Sequence, residues 1–194
     1  MKKWLFVLVL MAVATAAVAD TVTLQLVGTP YGQIGPYDMK VNGSVQQLAC
    51  GSDVNFITMG ESWTAQVYTI ADINTNPYFT QNPNKWNMAA LFADLLLKNP
   101  GNAAIQNDVW AALGLGGGFD GVWKPIVDAF LAANPGYQTP DLFYIPVVAD
   151  YDVAHGYPYG IPQPFIGVPE PSSLMLFGSG LFAAAGLVRR KVRI

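Results

Sequence analysis

Cysteine and histidine each occur once in the 194 residues, as Cys50 and His155. That scarcity removes most metal and nucleophile chemistry. A structural zinc site takes four ligands drawn mainly from these two residue types. A Cys50–His155 nucleophile pair would need a third group to orient the base, and the sequence indicates none. No G-x-S-x-G stretch is present, so the strained serine turn of the hydrolases is not expected. Gly114, Gly116, Gly117 and Gly118 lack the Lys-Ser/Thr that a phosphate loop requires. Asp150 and Asp152 could contribute to a calcium site, but their spacing fails the EF-hand pattern. No metal and no cofactor is expected, and the chain reads as a non-enzyme.

Arginine is absent until residue 189. Residues 20–167 hold four lysines (Lys40, Lys85, Lys98 and Lys124) against twelve acidic groups, a net charge of −8. Phosphate binding needs clustered Lys and Arg, so nucleic acid is not an expected partner.

What is abundant is apolar residues, 52% of the chain, and the two ends inflate that share. The start, "MKKWLFVLVLMAVATAAVAD", has a basic n-region at Lys2 and Lys3 and an apolar run from Trp4 to Val13. A small-x-small site follows at Ala17-Val18-Ala19. This pattern predicts a secretory signal helix over 1–19, with Asp20 as the mature N-terminus. The run is short for an uncleaved anchor, which takes about 20 apolar residues. An exported protein normally pairs its cysteines. Cys50 left over therefore points to a free thiol, an intermolecular bond or special chemistry.

Between the ends the pattern changes once. "TVTLQLVG" alternates, with Val22, Leu24 and Leu26 on one face. Asn42-Gly43 separates two extended runs and suits a type I′ hairpin turn, with Cys50 near the end of the second strand. Asn42-Gly43-Ser44 also matches a glycosylation sequon, but the turn accounts for it better. "ESWTAQVYTI" predicts another strand, and 73–84 an Asn- and Pro-rich loop. Three helices are then expected. The first is capped by Asn84 and stopped by Asn99-Pro100-Gly101, with Asp94 and Lys98 as an i,i+4 pair. The second runs from the Asn102 cap to Gly114. The third covers 123–133. "DLFYIPVVAD" returns to strand, and 150–167 reads as irregular. The fold class is α+β: an antiparallel, sandwich-like sheet with two to three helices packed on it.

The tail is "GVPEPSSLMLFGSGLFAAAGLVRRKVRI". Residues 174–188 are uncharged and mostly apolar, a short transmembrane candidate followed at once by Arg189, Arg190 and Lys191. The succession Val168, Pro169, Glu170, Pro171, Ser172, Ser173, apolar helix and basic stop resembles the PEP-CTERM sorting signal of Gram-negative bacteria. The resemblance implies export across the inner membrane, transient anchoring through 174–188 and processing by an exosortase. It further implies association with the cell surface, exopolysaccharide or biofilm matrix. It divides the chain into a signal peptide (1–19), an extracytoplasmic domain (20–167) and a sorting tail (168–194).

Within the body, helical spacing places Gln106, Val109, Trp110 and Leu113 on one face, so an amide is expected to point inward. "IQNDVW" resembles the TQ-x-A-I-W block of bacterial thioester domains, although Ile105 and Asp108 depart from that pattern. That resemblance implies an internal thioester between Cys50 and Gln106, by which a covalent adhesin would acylate a surface amine. The alternative is a buried free cysteine and a glutamine bonded to backbone.

Overall fold

The computed structural model describes residues 21–53, 55–75, 83–147 and 162–167. The expected signal helix, His155, the Asp150/Asp152 pair and the whole sorting tail, including 174–188, lie outside the described residues. Among the described residues no helix is long and apolar enough to cross a membrane.

The body is α+β. Its strands are β1 (Thr21–Gly28), β2 (Tyr37–Val41), β3 (Ser44–Cys50), β4 (Ser62–Tyr68), β5 (Leu142–Pro146) and β6 (Phe165–Gly167). They close into a barrel in the order β1-β2-β3-β6-β5-β4, and every pairing is antiparallel. The expected sandwich-like sheet is corrected here. A sandwich would leave edge strands at β3 and β5, and the three residues of β6 pair with both and remove those edges. β6 is too short, and too close to two prolines, to read as a strand from its own sequence.

Alternation then sorts the side chains into two cores. Leu24, Leu26, Met39, Leu48, Cys50 and Phe165 point into the barrel, whose small bore they fill. Tyr37 meets Phe165 edge-on at 6.0 Å, and Trp63 stacks on the same ring at 6.1 Å. The opposite-facing residues Ala49, Phe143, Ile145 and Ile166 form the second core with the helices.

Four helices lie among the described residues: α1 (Ile70–Thr75), α2 (Pro83–Lys98), α3 (Ala103–Leu113) and α4 (Trp123–Ala133). α1 occupies residues that alternation assigned to strand and loop. Its start is a local device: Asp72 accepts from the Thr69 backbone N–H at 2.8 Å, and Thr69 Oγ1 accepts from Asp72 N at 3.3 Å. α2 begins at Pro83, so Asn84 lies inside the helix rather than capping it; proline suits a first helical turn. Asn102 caps α3 as expected, accepting from Ala104 and Ile105 N–H groups, and Gly114 ends the helix at φ 74°. The closed ion pair among the described residues is Lys124–Asp128 on α4, not Asp94–Lys98.

Candidate functional site

The site forms where β3 ends against β6. Cys50 pairs with Phe165, and one step further Gly51 N donates to Pro164 O at 2.8 Å. In an antiparallel pair, residues two positions off direct register are diagonal neighbours on one face. Gln163 holds that position relative to Cys50. Both are buried, at 3% and 1% exposure.

The contact is close. Cys50 Sγ lies 2.8 Å from the Gln163 amide oxygen and 2.9 Å from the Ser52 carbonyl. A separation of 2.8 Å is typical of O–H···O bonds, and sulfur is a larger atom than oxygen. Turning the Gln163 amide over satisfies it better: its nitrogen then donates to Ser52 O at 2.8 Å and Asn55 O at 3.0 Å. Burial pushes the Cys50 thiol up to about 12, opposed by the Ser52 backbone and the Trp110 indole and reinforced by Asp53. The resting group is the neutral thiol.

Gln106 is also fully buried, as its place on the apolar face of α3 predicts. Its Nε2 donates to the Cys50 carbonyl at 2.8 Å, and its Oε1 accepts from Gly35 N at 3.1 Å. The fit leaves no room for a larger residue at Gly35, where a Cβ would stand 2.6 Å from Oε1. The structure thus brings Gln106 to the backbone of Cys50 and not to its thiol. The expected Cys50–Gln106 side-chain pairing is replaced, in this geometry, by Cys50 with Gln163. Nothing short-range in "IPQPFIG" marks Gln163, since its partner is 113 positions away. The one signal is the shortage of cysteine, which limits a thiol–amide pair to Cys50.

Gln163, Ser52 and Trp110 form part of the lining of a pocket of about 620 Å³, together with Asp53, residues 55–59 and Tyr37. Cys50 does not line it. Phe56 and Met59, also in the lining, are 69% and 56% exposed. Among the described residues no group of three or more His, Cys, Asp or Glu side chains could hold a metal ion.

Beyond the barrel, residues 167–191 match the family model of the PEP-CTERM protein-sorting motif. The chain carries a PEP-CTERM sorting motif. The motif marks an exported bacterial protein, anchored in a membrane during sorting and processed by an exosortase. Val168, Pro169, Glu170, Pro171, Arg189, Arg190 and Lys191 all fall within the matched span and lie outside the described residues. The PEP-CTERM match begins at Gly167, the last residue of β6. No curated protein and no solved structure matches the chain, and the likeness of the body to thioester domains gains no support from these comparisons.

Proposed function

We propose that this PEP-CTERM protein is delivered to the cell surface or to the exopolysaccharide and biofilm matrix of a Gram-negative bacterium, where its body acts as a non-enzymatic module. The sorting motif carries this reading. The strongly acidic body agrees with it, because high net charge favours a soluble, dispersed domain outside the membrane. Pro169, Glu170 and Pro171 are the recognition element, 174–188 the transient anchor, and Arg189, Arg190 and Lys191 the stop that keeps the end cytoplasmic. Replacing Glu170 by Gln in an exosortase-bearing host tests it. The expected result is an unprocessed chain retained in the membrane fraction. Normal processing and release of that variant would contradict it.

A second reading, covalent attachment through an internal thioester, is favoured by one observation: the lone, buried cysteine thiol lies 2.8 Å from a buried side-chain amide. An acyl group stored this way can be passed to a surface amine without metal or cofactor.

A further inference from the structure

Resting on the thioester reading, we infer that Gln163 is the acyl residue and that the bond opens to a primary amine entering through the pocket that this side chain lines.

Two glutamines stand near Cys50, and their surroundings separate them. Both ends of the Gln106 amide are committed to buried backbone groups, Cys50 O and Gly35 N. Gln106 thus reaches the backbone of Cys50 and not its sulfur. The Gln163 amide instead lies 2.8 Å from the sulfur, and reaction there gives up the bonds of its turned nitrogen to Ser52 O and Asn55 O. In its turned orientation the atom position 2.8 Å from Sγ is occupied by nitrogen, the leaving group. In that orientation the thiol donates to Ser52 O at 2.9 Å, so its proton must turn from that carbonyl to the departing nitrogen as the Cδ–Nε2 bond breaks.

The step balances without an oxidant or any other reactant. The Sγ–H and Cδ–Nε2 bonds break, the Sγ–Cδ bond forms, and the thiol proton leaves with the nitrogen as ammonia. A thioester is less stable than the amide it replaces, so the site must supply proximity and exclude water. The 1% and 3% exposures of Cys50 and Gln163 meet the second need. The sheet pairing at Gly51 and Pro164 meets the first.

Access is one-sided. Gln163 lines the pocket and Cys50 does not, so a nucleophile reaches the acyl carbon from the pocket while sulfur departs into the barrel interior. The incoming N–Cδ bond forms, the Sγ–Cδ bond breaks, and a proton from the amine returns to sulfur. The product is a secondary amide at residue 163 and a Cys50 thiol. The lining suits a primary amine on a flexible carbon chain. It is apolar at the exposed Phe56 and Met59, Asp53 supplies a carboxylate, and the acidic body attracts an ammonium group.

The test uses the full chain, purified at mildly acidic pH, with variants Cys50→Ser, Gln163→Glu and Gln106→Glu. Wild type is expected to be lighter by one ammonia, with its Cys50 and Gln163 peptides linked. The loss is expected to vanish in Cys50→Ser and Gln163→Glu and to persist in Gln106→Glu. Methylamine is expected to open the link, leaving N-methylamide on Gln163 and one titratable thiol. If Gln106→Glu does not fold, the wild-type peptide map still decides. A link mapped to Gln106 overturns the assignment and leaves the thioester reading standing. A link that methylamine fails to open overturns the amine route alone. Full mass with a titratable thiol in wild type overturns both, without touching the sorting result for Glu170→Gln.

Discussion

The Gln106 side chain donates to the Cys50 carbonyl at 2.8 Å, so α3 grips the end of β3 by its backbone while the thiol faces β6. The grip is completed by Gly35 N on the other end of the amide. Replacing Gln106 by Leu leaves a buried carbonyl and a buried N–H without partners. Unsatisfied groups of this kind cost about 1–3 kcal/mol each. We expect a loss of roughly 2–4 kcal/mol after the gain from the apolar replacement. Urea unfolding followed by tryptophan fluorescence measures it; a loss well below 1 kcal/mol would show that the clamp does not hold the site.

Gly51 follows the last residue of β3 and donates its N–H to Pro164 O just before β6. A Cβ there would stand 2.9 Å from Pro164 Cγ and 3.1 Å from its carbonyl oxygen. Gly51→Ala must push β6 outward and carry Gln163 away from Cys50. Overpacking of this sort costs about 1–3 kcal/mol. The expected outcome is a lowered Tm together with a reduced fraction of molecules that lose ammonia. A lowered Tm with an unchanged fraction would separate stability from the site.

Asp141 gives the body a pH dependence away from the site. It is 1% exposed, and burial, with Asp94 adding repulsion, raises its carboxyl to about 7 against the weaker pull of Thr139 and Lys98. A carboxyl raised in the folded state holds its proton more tightly than in the unfolded chain. Stability is therefore greatest at low pH with respect to this group and falls as pH rises from about 4, its unfolded value, to about 7. Above that the loss is complete. Asp141→Asn should flatten the Tm profile between about pH 4 and about pH 7 and raise Tm above that range. An unchanged profile in the variant would assign the pH dependence elsewhere.

Much of the body is legible from local sequence, for reasons that the structure makes explicit. Asn42 and Gly43 take φ of 46° and 94°, the positive pair that a tight hairpin demands. α3 starts at its Asn cap and stops at its left-handed glycine. What is not legible depends on distant partners. β6 becomes a strand only because β3 and β5 flank it, and barrel closure follows from that single short element. The site divides the same way. Cys50 stands out by scarcity and Gln106 by its position on an apolar helix face, and the two do meet, through backbone. Gln163 has no local signature, since its neighbourhood with Cys50 is created by the register Cys50↔Phe165.

The most direct measurement is a thiol count on the freshly purified full chain, unfolded at mildly acidic pH with a thiol reagent present. The Cys50–Gln163 thioester predicts none in wild type and one in Gln163→Glu, because Cys50 is the only cysteine and the acyl bond hides it. One titratable thiol in wild type, equal to that of the variant, would contradict it.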